Sequence, residues 1–185
     1  HSTTQQKFGY TGIFFDGTGT EGLSVPDSGD WAFSGNFTLE CWIKCSTSLT
    51  GVRAIVAQGV NGPWSTIGWH MAISAAGAIF FETSNNGSNG VDVITSGASL
   101  KDDAWHHIAC VRNSNTFTIY VDGISRGSNT GTITVQNRTE PVTIGHWTPG
   151  NSNDPFLGYI DDIRISNVAR YTANFTAPTN SHGFT

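Results

Sequence analysis

Apolar and polar positions alternate with a period of two along this chain, and helical spacing does not recur. In FTLECWIKC, Phe37, Leu39, Cys41, Ile43 and Cys45 share one face while Thr38, Glu40, Trp42 and Lys44 share the other. That pattern predicts a long strand with one face in a core. TFTIYVDGIS places Phe117, Ile119 and Val121 on one side and then breaks at Asp122-Gly123, a hairpin signal because both residues tolerate positive φ. Further short strands are predicted at 12–15, 23–25, 54–57, 69–74, 79–83, 91–95, 105–112, 132–135, 142–146 and 156–165, separated by loops rich in Gly, Asn and Ser. A dozen or so short strands joined this way predicts an all-β fold, a two-sheet antiparallel β-sandwich of the jelly-roll type. Residues 1–10 read as an N-terminal arm, 11–178 as one domain and 179–185 as a C-terminal tail.

Composition sharpens this picture. The chain has 185 residues, a length at which an all-β sandwich forms a single core. Charged residues are only 12%, so solubility rests on hydroxyls and amides, as suits an extracellular or virion protein. The net charge of −5 and the lack of a Lys/Arg cluster argue against nucleic acid or an anionic membrane as the main partner. No apolar run approaches the roughly 18 residues needed to cross a bilayer. Cys41 and Cys45 lie four apart on an extended segment, roughly 13 Å at strand rise, too far to bridge directly. Cys110 could pair with either from a neighbouring strand; the other reading is three small buried hydrophobes.

FDGTGTEGLSVP from Phe15, FTLECWIK from Phe37, AWHHIACVRNSNTFTIYVDG from Ala104 and GYIDDIRI from Gly158 occur in a set order. Together they resemble the laminin-G-like jelly rolls of the concanavalin A-like lectin/glucanase superfamily. The closing VARYTANFTAP resembles, more narrowly, copies of this domain in tail-fibre and appendage proteins of bacteriophages. The resemblance implies a non-catalytic structural or adhesion domain of a virion, with a host-surface glycan or other virion proteins as partners. The alternative is a secreted cellular carbohydrate-binding or adhesion module. A fibre domain of this kind is expected to be trimeric, although no residue pattern specifies a symmetry.

Related glucanases set two carboxylates at alternate positions of one strand, converging on the scissile bond. Here the close acid pairs are Asp102-Asp103 in a turn and Asp161-Asp162, whose adjacent side chains point to opposite faces of a strand. No G-x-S-x-G, H-E-x-x-H or phosphate-loop motif is present, so catalysis is not expected.

The resemblance implies a structural calcium ion tying the N-terminal region to the last strand through Asp161, since calcium takes carboxylate and carbonyl oxygens. Asp161 shares a strand face with Tyr159, Ile163 and Ile165 and is expected to point inward, with Asp16 as the second acid. The competing reading has Asp161 accepting hydrogen bonds from loop amides and Asp16 closing an Asx turn. Among the six tryptophans, Trp31, Trp42, Trp69 and Trp105 lie in or beside strands, whereas Trp64 and Trp147 lie in loops. A loop aromatic flanked by Asn and Asp suits sugar recognition, so Trp147, Asn151, Asn153 and Asp154 form the candidate ligand patch. The other reading has Trp147 closing one end of the sandwich.

Overall fold

A computed structural model describes residues 2–19, 22–60, 66–85, 89–95, 99–147 and 155–181. Among them twelve strands form two six-stranded antiparallel sheets. The first sheet runs β1 (Ile13–Asp16), β12 (Leu157–Ser166), β3 (Phe37–Cys45), β8 (Trp105–Asn113), β9 (Thr116–Val121) and β10 (Ile124–Thr130). The second runs β2 (Leu23–Val25), β11 (Val142–Ile144), β4 (Arg53–Gly59), β5 (Ile67–Ile73), β6 (Ile79–Asn85) and β7 (Asn89–Ile94). This is the jelly-roll sandwich that the period-two pattern predicts.

The alternating residues of β3 build one wall of the core. Phe37, Leu39, Cys41, Ile43 and Cys45 are buried against Trp69, Met71, Ile73, Ile79 and Phe81 of the opposite sheet. At the centre the rings of Phe81 and Phe117 stack at 5.8 Å, and Phe37 lies 5.7 Å from Phe81. Each such ring contributes about 1.5–3 kcal/mol by leaving water. The Asp122-Gly123 break is a tight β9–β10 turn with φ of 50° and 78°, as the dipeptide implies.

Two expectations change, and one short element is added to the strands. Residues 132–135 form no strand, although Val135 is buried at the core edge. Gly29–Trp31 forms a short 3-10 turn, with Ser28 accepting a hydrogen bond from the Asp30 amide. A β-bulge also interrupts β12 between Asp161 and Arg164, and Asp162 sits there at φ 51°. One extra residue reverses the facing of everything after it. Ile160 therefore points into the core, as do Ile163 and Ile165 beyond the bulge, while Tyr159 and Asp161 lie on the outer face. The expected shared inner face of Tyr159, Asp161, Ile163 and Ile165 does not exist.

Both terminal segments lie on this outer face of the first sheet. Ser2 bridges Gly12, and Lys7 and Phe8 cover Trp42, with the Lys7 ammonium 3.8 Å from the indole centre. Residues 168–177 cross β3, β8 and β9 as a strap. Thr38 Oγ1 donates to the Val168 carbonyl, the Phe175 amide donates to Gly123, and the Ser125 amide donates to the Asn174 side chain. Gly123 is required twice, for its positive φ and because a Cβ there would collide with the Phe175 carbonyl.

Candidate functional site

Trp147 follows β11 and folds back onto the outer face of the second sheet. Ala54, Ala57 and Ala72 leave a shallow trough there, and the indole fills it at 3% exposure, edge-on to His70 at 4.2 Å. His70 Nε2 lies 2.8 Å from Glu82 Oε2, and burial pulls the imidazole pKa down against the raising effect of that carboxylate. Trp147 is thus a covering residue on a sheet face, with no ring face open to solvent. Asn151, Asn153 and Asp154 lie outside the described residues, as does Trp64.

Asp161 is a tether. Its Oδ2 accepts from the amides of Lys7 at 2.8 Å and Phe8 at 3.2 Å, and its Oδ1 accepts from the Asp162 amide at 2.8 Å. Asp16 is exposed and accepts from the Thr18 amide and hydroxyl, closing an Asx turn. On the β1–β12 ladder Asp16 stands opposite Leu157, four residues from Asp161. The two carboxylates are therefore about 13 Å apart along the strand, and both already hold amide donors. They do not fit a common calcium ion, and no cluster of three or more metal-ligating side chains occurs among the described residues.

Glu40 is marked by the alternation along residues 37–45 only as outward-facing. It is 1% exposed beneath the strap. Arg164 reaches its Oε1 through Nε at 2.8 Å and Nη2 at 2.7 Å, and Arg170 Nε lies 3.4 Å from the same oxygen. Tyr171 donates to Oε2 at 2.7 Å, and His107 Nε2 stands 3.2 Å from it. Burial alone would raise this carboxyl. The hydrogen bonds from His107, Tyr171 and Arg164, with the Arg164 charge, outweigh burial and hold the pKa at about 2.

This network fixes Arg170 at the mouth of a cleft. Loop residues 29–36 form one wall and residues 165–170, where β12 turns into the strap, form the other; the cavity volume is about 730 Å³. Asp30, Trp31, Ser34, Asn36, Asn167 and Arg170 supply its chemistry. Asp30, Trp31, Asn36 and Arg170 are held from behind. Ser28 donates to the Asp30 carboxylate at 2.9 Å, Trp31 Nε1 donates to the Pro26 carbonyl at 3.1 Å, and Asn36 Oδ1 accepts from the Ser114 amide at 2.8 Å. Trp31 is partly buried against the core while also lining the cleft. The Arg170 amide donates to Thr38 Oγ1, which seats the residue at the strap's first turn. Among the described residues, Asp30 is the one carboxylate in the lining.

An aromatic beside polar residues also occurs at Trp31, between Asp30 and Asn36. The sequence places Trp31 in or beside a strand, and the opposite wall of its cleft comes from more than 130 residues further along.

Residues 16–174 match the family described as the concanavalin A-like lectin/glucanases superfamily. No curated protein matches the chain significantly. Among solved structures, the chain is similar to the Ruminococcus gnavus IT-sialidase CBM40, with TM-score 0.71 and 15% identity over 87% of this chain and 92% of that one. The same CBM40 bound to α2,3 sialyllactose matches at TM-score 0.70 and 16% identity, over 86% and 91% of the two chains. The binding domain of Paraclostridial Mosquitocidal Protein 1 matches at TM-score 0.62 and 18% identity, covering 80% of this chain but 38% of that one.

Proposed function

We propose that this chain, which belongs to the concanavalin A-like lectin/glucanases superfamily, is a non-catalytic carbohydrate-binding module that takes a glycan in the cleft between residues 29–36 and 165–170. The observation that carries this reading is the lining itself: an indole beside one carboxylate, two carboxamides and a guanidinium, in a depression of about 730 Å³. A sugar ring offers an apolar face and a rim of hydroxyls, and such a lining meets both. The similar fold of a CBM40 whose structure holds α2,3 sialyllactose supports the same direction.

The module's setting is part of the proposal. An adhesion domain on a phage tail fibre, appendage or capsid surface, recognising a host-surface glycan, accords with the phage-like VARYTANFTAP segment and the low charge. Three buried cysteines with no disulfide suit assembly in a reducing cytoplasm. The second reading, a secreted module serving a polysaccharide-active enzyme, rests on the CBM40 likeness.

A glycan array with the wild type and Trp31→Ala tests the reading. Binding to a defined glycan set, weakened at least about tenfold by the substitution, is expected. An empty array, or binding indifferent to Trp31→Ala, rejects it. Paired Asn151→Ala and Asp154→Ala variants examine the alternative loop beyond Trp147, where a loss of binding would move the site.

A further inference from the structure

We infer that the cleft selects acidic sugars, with Arg170 receiving a carboxylate of the glycan; this rests on the cleft being the glycan site. The charge arrangement around Glu40 carries the inference. One buried carboxylate faces two guanidinium groups, Arg164 and Arg170. Both are permanently charged, so the cluster retains a positive charge after Glu40 is matched. Arg164 takes the closer geometry, two nitrogens within 2.8 Å, and Tyr171 and His107 occupy the second oxygen. Arg170 is left as the most distant partner, at 3.4 Å through Nε.

Arg170 is also the more solvent-open of the two, its side chain 37% exposed against 24% for Arg164, and it is the one that lines the cleft. Across the cleft Asp30 is anchored by Ser28, and among the described residues no salt bridge joins Asp30 to Arg170. The walls thus carry opposite charges that do not neutralise each other. A guanidinium fork pairs with a planar carboxylate through two parallel hydrogen bonds. Asp30, Asn36 and Asn167 then accept from and donate to the hydroxyls of the same sugar, while Trp31 meets its apolar face. Glu40 has a positioning role: it holds Arg170 through Nε, so the guanidinium is seated before the ligand arrives. Arg170 is thus a positive point in a protein of net charge −5, and its attraction for a carboxylate is sensitive to salt.

The experiment compares α2,3 sialyllactose with lactose by titration calorimetry at low and at physiological ionic strength. Wild type, Arg170→Ala, Arg170→Lys and Trp31→Ala are used, each checked for an unchanged fold by near-UV circular dichroism. The acidic sugar is expected to bind at least about tenfold more tightly than the neutral one. That preference should disappear in Arg170→Ala, return in part in Arg170→Lys, and shrink with added salt. Equal affinity for the two sugars, or an acid preference that survives Arg170→Ala, overturns the inference. If lactose or another neutral glycan binds and is lost in Trp31→Ala without any acid preference, the inference alone falls and the glycan module stands. No binding of either sugar together with an empty array removes both.

Discussion

The hydroxyl of Tyr171 donates a hydrogen bond of 2.7 Å to Glu40, 131 positions earlier in the chain, and closes the strap over the first sheet. Beside it the Tyr171 ring stacks on Phe175 at 3.5 Å, and Phe175 in turn meets Tyr120 and His107. The strap is therefore held by a buried charge and an apolar stack together. Tyr171→Phe keeps the stack and removes one donor to a charged acceptor, at an expected cost of about 1.5–3 kcal/mol. Glu40→Ala leaves two guanidinium groups without their buried partner and is expected to cost about 3–5 kcal/mol. Urea midpoints at constant m-value measure both; a cost for Glu40→Ala no greater than for Tyr171→Phe would show that the guanidinium partners add nothing beyond the tyrosine hydrogen bond.

The same carboxylate sets an acid limit. Its folded pKa of about 2 lies below the ordinary 4.5, so its stabilising effect is complete above about pH 4.5 and is lost as the pH falls towards 2. The contribution is on the order of 3 kcal/mol. Denaturation profiles across this window should be steeper for the wild type than for Glu40→Gln, and parallel profiles would count against the assignment.

His106 acts on the alkaline side. Asp122 lies 2.7 Å from its Nδ1 and Asp102 3.1 Å from its Nε2. The hydrogen bond with Asp122 raises the imidazole pKa, against the opposing effect of burial and with further help from Asp102. A raised folded pKa means stability that is full below pH 6.5 and declines as the pH climbs through the folded value. Buried His70 shifts the other way, so its effect is already complete above 6.5 and does not mask the decline. The melting temperature should fall on going from pH 6.5 to alkaline conditions, and His106→Ala should abolish that fall.

Asp161 should behave as a peptide clamp. Asp161→Ala frees the amides of Lys7 and Phe8, at an expected cost of about 1–3 kcal/mol. Trypsin should then cut after Lys7 faster than in the wild type; an unchanged cleavage rate would show that the Trp42 contacts alone retain the arm. Because this carboxylate already accepts from three amides and Asp16 stands four residues away along the ladder, neither added calcium nor a chelator is expected to move the melting temperature. A rise with calcium would reveal a site built from other groups.

The cysteines offer a check on the core. Burial pushes the thiols of Cys41 and Cys110 upward, and that of Cys45 to about 12. A thiol-specific reagent should find none of them in the native protein and all three after denaturation. Rapid labelling of the folded chain would indicate an open edge between the sheets.

What depends on near neighbours is legible in the order of residues. The alternation in residues 37–45 is enough to make a half-buried strand, and Asp122-Gly123 is enough to turn one, because side-chain facing and allowed φ are settled within a few residues. Motif order then placed those strands in a jelly roll. Three things escaped this local logic. The bulge at Asp162 inserts one residue where no glycine announces it, and so sends Asp161 outward to the arm instead of inward. Trp147 reads as a loop aromatic, yet three alanines on two other strands make the trough that buries it. Glu40 and Trp31 look like an ordinary outward acid and a core ring. Only the docking of residues 165–171 against them, more than 120 positions away, turns one into the buried centre of a charge network and the other into the wall of a cleft. Tertiary structure decided these because a sheet's outer face has no fixed environment until some distant segment comes to cover it or leaves it open.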